Sequence, residues 1–396
     1  MKRPSLGLSH DNTRIFLGMS LNEGAFGVYQ TLWPLYIAAL GANPAQIGIV
    51  IGLSGILRLF ALMPSGVASD HVPPRMMIVG ARSLTATSMF LYGVAQSWWQ
   101  LIPMAIIMAL GNIAFPTISS TIAEAAGPGR QRTRAFTLIY TVGPAIALLV
   151  TPALGGLVAD QLSLRAIFAV AGGLTLIAVG FYSRITPRAV LRHEGPPITY
   201  RNTLGQRPIL LICLLELATL FALTLGVTLT PNFLQDVHGI GTGTIGVLGS
   251  ISAAGSIALF VVISRVRPFD QPLLAIGLSI AAVGGTLALL IAGQSMVFFV
   301  VAYMLRGGYT VAWSLFAAAL GDIATDRFRG RAFALGEIMG GAGYAFAPFA
   351  AGWLYEIKPE TPLIVGLIMI VPLVFGAYWI SRSIQNDNPS LIEEPA

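Results

Sequence analysis

The sequence predicts an all-α membrane protein of twelve transmembrane helices in two pseudo-symmetric six-helix bundles, and three observations carry that reading. Hydrophobic residues make up 55% of the 396 and charged ones only 10%, where soluble domains carry about a quarter charged residues. Apolar stretches of about 20 residues, the length that crosses a bilayer, recur twelve times along the chain. The chain also repeats itself: Leu32-Trp33-Pro34-Leu35 returns as Leu229-Thr230-Pro231-Asn232, and Arg132-Thr133-Arg134-Ala135-Phe136 returns as Arg329-Gly330-Arg331-Ala332-Phe333. A period of 197 residues, Pro34 to Pro231, is far longer than solenoid repeats of about 20 to 50 residues and implies two fused bundles.

In chain order the spans are expected at 14–38, 45–68, 76–95, 100–123, 134–158 and 164–184, then at 208–235, 243–264, 271–292, 296–321, 331–354 and 362–381. The halves are therefore 1–184 and 208–396, joined by a polar linker over 185–207 that holds Pro187, Pro196, Pro197 and several arginines. The remaining loops are short, which makes successive helices antiparallel neighbours. Prolines at 34, 116, 144, 152, 231 and 348 each remove a helical hydrogen bond and favour a kink.

The net charge of +6 raises nucleic acid as a partner, and the positions of the charges dismiss it. Nineteen basic residues fall in alternate loops and helix ends on one side, against Arg165 and Lys358 on the other. That bias places both termini in the cytoplasm, and the setting expected is a bacterial inner membrane. The polar, basic start is followed by no cleavage site, so the first span is expected to remain as its own insertion signal.

Cys213 is the sole cysteine and His10, His71, His193 and His238 all lie outside the expected spans. No disulfide, metal site or histidine-based catalytic apparatus is therefore expected within the bundle, and neither an enzymatic activity nor a cofactor. No Walker sequence occurs, which argues against ATP as the energy source.

Between spans 2 and 3, Gly66-Val67-Ala68-Ser69-Asp70-His71-Val72-Pro73-Pro74-Arg75 resembles the signature loop of the major facilitator superfamily. His71 and Pro73 depart from the pattern, so the cytoplasmic gating role that the resemblance implies is carried to Gly66, Asp70 and Arg75 only. Thr151-Pro152-Ala153-Leu154-Gly155-Gly156 resembles the span-5 motif of the proton-coupled antiporter branch, with Thr151 in place of its first Gly; gating roles follow for Pro152 and Gly156, and for Arg132 in the repeated loop. The arginine that many such antiporters carry on span 4 is missing, Ile106 standing there. The resemblance implies alternating access, with spans 1, 4, 7 and 10 around a central cavity.

Ionisable side chains deep in a bilayer cost several kcal/mol unless paired or hydrated, so each marks a functional position by default. Glu23, Arg58, Glu216, Arg306 and Glu337 qualify. Glu23 and Arg58 lie at similar depth on consecutive antiparallel spans, where a static ion pair and a coupling role for Glu23 both stand open. Asn22, Gln30 and Pro34 extend a polar stripe from Glu23. Arg82 is shallow enough to snorkel to the cytoplasmic surface. Tyr309 and Trp313 offer cation-π surface to Arg306, and Asn112, Tyr140 and Thr228 rank behind as cavity residues.

The function expected is that of a secondary transporter working by alternating access, exporting small hydrophobic or drug-like compounds in exchange for protons. The partners are then a small-molecule substrate, protons as coupling ion and the lipid bilayer, with the chain acting as a monomer. Uptake of a sugar, nucleoside or organic acid is the alternative, and a non-transporting membrane sensor or partner-binding protein is an alternative of another class.

Overall fold

The computed structural model describes residues 7–62, 72–126, 129–187, 206–266, 269, 271–324 and 329–387. Among them every regular element is helical. The N-terminal series runs α1 His10–Gln30, α2 Trp33–Ala39, α3 Pro44–Leu62, α4 Pro74–Val94, α5 Leu101–Gly111, α6 Phe115–Ala126, α7 Arg130–Thr137, α8 Gly143–Gln161 and α9 Ala166–Tyr182. The C-terminal series runs α10 Arg207–Val227, α11 Thr230–Asp236, α12 Thr242–Arg265, α13 Pro272–Ala292, α14 Met296–Arg306, α15 Gly308–Ile323, α16 Arg329–Ile357 and α17 Thr361–Asp387.

Helical segments lie at all twelve expected positions, and by length and composition eight of them are long and apolar enough to cross a membrane. Ala166–Tyr182 is apolar but shorter. The segments over 10–39, 74–94 and 329–357 hold the polar residues Asp11, Arg14, Asn22, Glu23, Arg75, Arg82, Arg331 and Glu337, which lower their hydropathy.

The prolines fall at matched places in the two series, as the repeat predicts. Pro34 and Pro231 each stand just after a break, between α1 and α2 and between α10 and α11. A 3-10 turn at Asn112–Ala114 precedes Pro116, and a π-helical turn at Leu138–Val142 precedes Pro144. Pro152 and Pro348 sit inside helices, where each ring leaves the carbonyl four residues earlier without its helical donor; next to Pro152 the amide of Ala153 donates to Ser250 Oγ at 3.0 Å.

The chain forms two compact units, and neither is one contiguous half. One comprises 1–42, 57–195 and 234–250; the other comprises 43–56, 196–233 and 251–396. In the first, the start of α12 crosses α8, and a Cβ on Gly246 would lie 2.5 Å from Gly156 Cα and 2.6 Å from the Pro152 carbonyl. In the second, the start of α3 crosses α16 in the same manner, with Gly48 against the Pro348 carbonyl and Gly352 against the Pro44 carbonyl. Gly48 and Gly246, like Pro152 and Pro348, are repeat partners, so one duplicated pair of motifs builds the same close crossing twice. Small residues permit such backbone approach in lipid.

The core of the first unit gathers Ile15, Met19, Ile78, Ala81, Ile118, Ile122, Ile139 and Tyr182 from α1, α4, α6, the π turn and α9. Ser9 caps α1 by accepting from the Asn12 amide at 3.2 Å. Asp11 accepts from the Thr186 amide at 3.2 Å and from Arg14 at 3.3 Å, which fixes the end of α9 beside the start of α1. In the second unit α10 packs along α16, burying Leu225 against Ala347 and Ala351.

Candidate functional site

Among the described residues each unit holds a buried ionisable side chain within its helices, Arg82 in the first and Glu216 in the second, and glycines let neighbouring helix faces close nearby. In the first unit, a Cβ on Gly18 of α1 would lie 2.7 Å from the Tyr182 ring, and one on Gly143 would meet Ser20 Oγ. These contacts pack α1 against α9 and against the start of α8, just past the π turn. Glu23 is half-buried, and no ion pair joins it to Arg58, which is exposed on α3. The positive charge that acts on Glu23 most strongly is that of Arg82, ahead of Arg58.

Arg82 does not snorkel. It is 4% exposed, and its Nε has no hydrogen-bond partner. Position along the helix axis suggested the surface, but position around it decides: Ile78, Ala81, Thr85 and Met89, at helical spacing about Arg82, are all buried, so the guanidinium points inward with them. Its charge also reaches Tyr140 and Tyr182. The Tyr140 hydroxyl shares a 2.7 Å hydrogen bond with Ser119 Oγ, and the buried Tyr182 hydroxyl has no partner. Tyr140 belongs to the π turn, a distortion often found at functional positions. Arg82 and Tyr182 are buried, Glu23 and Tyr140 half-buried, and the four give the first unit a carboxyl, a guanidinium and two hydroxyls.

The expected polar stripe beside Glu23 is not a single face. Gln30 is exposed, Pro34 is buried, and Asn22 is half-buried with an unpartnered Oδ1. Asn112 donates to the Met108 carbonyl at 3.3 Å. In the repeated loops Arg132 is exposed and Arg75 half-buried, while Gly66 and Asp70 lie outside the described residues.

In the second unit Glu216 of α10 is 4% exposed, and its Oε2 has no hydrogen-bond partner. Its carboxyl fits α16 because Gly336 and Gly340 face it, their Cβ positions 2.9 Å from Oε2 and 2.7 Å from Oε1. It lines a cavity of about 50 Å³ together with Trp313, Ala317, Leu320, Phe333, Gly336 and Glu337. Arg306 is not among the residues that line this cavity, and its guanidinium lies over the Tyr303 ring at 5.1 Å. Tyr309 instead shares a 2.8 Å hydrogen bond with Thr224 Oγ1 and meets Trp313 edge-on, ring centroids 6.3 Å apart.

The sequence pattern of the Major Facilitator Superfamily matches residues 15–307 and 212–394. The chain belongs to the Major Facilitator Superfamily. As a facilitator it is an integral, multi-pass membrane protein. It is 27% identical over 166 residues to the multidrug resistance protein MdtG of Serratia proteamaculans, a match covering 41% of this chain and 40% of that protein. It is 22% identical over 263 residues to the MdtG of Proteus mirabilis, covering 62% and 63%. These matches thus span less than two thirds of each relative's length. Among solved structures, a mutant of the nucleoside transporter NupG superposes with a TM-score of 0.77 at 13% identity, over 95% of this chain and 99% of that one. A bacterial homologue of the human lysosomal transporter Spinster gives 0.75 at 15% identity over the whole of both chains. At such identities these two likenesses speak for the facilitator fold alone.

Proposed function

We propose that this facilitator is a secondary transporter that exports small hydrophobic or drug-like compounds by alternating access, in exchange for protons. The observation that carries the reading is Glu23, a carboxyl within a membrane helix that has no ion pair among the described residues and lies in the field of a buried arginine. An ionised carboxylate is costly in a low-dielectric setting unless compensated. A carboxyl poised beside a cation can hold a proton in one conformation and, when Arg82 approaches, release it in another. That gives one side chain the two states that coupling requires.

The multidrug resistance relatives support the choice of substrate class. The halves 1–184 and 208–396 are taken to rock about a central site, with the 185–207 linker between them. Arg75, Arg132, Pro152 and Gly156, with Gly66 and Asp70 in the signature loop, are assigned to gating; Pro152 and Gly156 belong to the α8–α12 crossing. Both termini are placed in the cytoplasm of a bacterial inner membrane, and the chain is taken to act as a monomer.

Reconstitution in liposomes loaded with a pH-sensitive dye tests the reading. Lipophilic cations, sugars, nucleosides and organic acids are added across an imposed pH gradient. Proton flux evoked by hydrophobic compounds is expected. Flux evoked only by sugars, nucleosides or organic acids would replace export with uptake, and silence across the panel would remove transport from the account.

A further inference from the structure

The Glu216 cavity has features that the Glu23 group lacks. Its lining, among the described residues, includes two carboxyls and two aromatic rings, Trp313 and Phe333, and no basic side chain. Glu216 is buried, with Oε2 unpartnered, and an acceptor left in that condition is expensive unless something occupies the cavity. Residues 336 and 340 are glycines, and a Cβ at either would come within 3.0 Å of the Glu216 carboxyl, so a side chain there would displace it.

We propose that this cavity between α10, α15 and α16 receives the ammonium head of a monovalent organic cation, with Glu216 and Glu337 as counter-charges and Trp313 and Phe333 as its walls. The inference names a substrate class for the export reading and rests on it. Carboxylates beside aromatic faces are the chemistry that recognises alkylammonium groups. A bare metal ion is the poorer fit: hard cations want about six oxygen ligands, and among the described residues no cluster of three or more His, Cys, Asp or Glu exists. An anion meets two like charges here. Sites for whole drug-sized molecules run from about 300 Å³ upward, so at about 50 Å³ this cavity holds a head group while the remainder of the molecule lies outside it.

Choline and its uncharged isostere 3,3-dimethylbutan-1-ol separate charge from shape. Binding of each to the purified full chain in detergent is followed by saturation-transfer NMR. Choline is expected to give a saturable signal and the isostere none. Glu216→Gln is expected to weaken choline at least tenfold, the scale of one charge-assisted contact, and Trp313→Leu about threefold. Glu337 is exposed, so Glu337→Gln leaves folding alone and is expected to weaken choline at least twofold. Equal signals from the isostere, or choline binding unchanged in Glu337→Gln and in folded Glu216→Gln, overturn the proposal. The assay uses no proton gradient. Choline binding without proton flux in the liposome experiment would overturn proton-coupled export alone, and flux without choline binding would overturn this site alone.

Discussion

Gly246→Ala is the sharpest probe of the duplicated helix crossing. The added Cβ would lie 2.5 Å from Gly156 Cα and 2.6 Å from the Pro152 carbonyl oxygen, where ordinary contact begins at 3.4 Å. The shortfall of 0.9 Å, 3.4 less 2.5, falls on backbone, which cannot rotate aside as a side chain can. Overpacking of this kind costs about 1–3 kcal/mol. In thermal unfolding followed by tryptophan fluorescence, that corresponds to a midpoint lower by about 2–10 °C. Gly173→Ala on α9 is the control, since nothing lies within 4 Å of its Cβ, and its midpoint is expected to be unchanged or slightly raised. Because the crossing is also a proposed gate, Gly246→Ala is expected to slow transport more than the loss of stability explains. A Gly246→Ala protein with wild-type midpoint and rate would refute the close-packed crossing.

Arg82→Met keeps the volume and removes a buried charge. No ion pair compensates that charge among the described residues, so its removal relieves a desolvation cost and the unfolding midpoint is expected to hold or rise while proton-driven transport falls at least tenfold; loss of folded protein would make Arg82 a structural residue instead. Tyr309→Phe removes the hydrogen bond to Thr224 and is expected to cost about 1 kcal/mol, read as a lower midpoint with KM unchanged, and a raised KM would place the hydroxyl on the substrate. Gly18→Ala drives a Cβ to 2.7 Å from the Tyr182 ring, a ring that is fully buried, and is expected to lower both the midpoint and proton coupling; normal coupling in that protein would detach Tyr182 from the Glu23 group.

Much of the fold was legible because lipid leaves helices few alternatives. With no water to satisfy backbone groups, apolar length alone marks a span, and the repeated Pro34 and Pro231 foretold the matched breaks after α1 and α10. The close crossings are half legible: Gly48 and Gly246, and Pro152 and Pro348, fall at the spacing of the repeat, but nothing in a linear period says that α3 reaches α16 and α12 reaches α8. Charges proved hardest to read. Distance from the helix end puts Arg82 near the surface, whereas its burial follows from its angular position among Ile78, Ala81, Thr85 and Met89, a signal present in the sequence. Arg306 was assigned to Tyr309 and Trp313 on its C-terminal side, yet a long helical side chain leans toward the preceding turn, and Tyr303 is the ring it covers. Glu337 and Phe333 joined Glu216 only through the packing of α16 along α10, which no local pattern announces.

The central claim is that Glu23 ties proton movement to substrate movement. Liposomes containing wild-type protein or Glu23→Gln can be assayed for two activities with the compound that evokes flux: exchange of labelled for unlabelled substrate without a gradient, and uphill movement driven by a pH gradient. The account predicts that Glu23→Gln retains exchange and loses gradient-driven movement. Gradient-driven movement surviving in Glu23→Gln at the wild-type rate would contradict it.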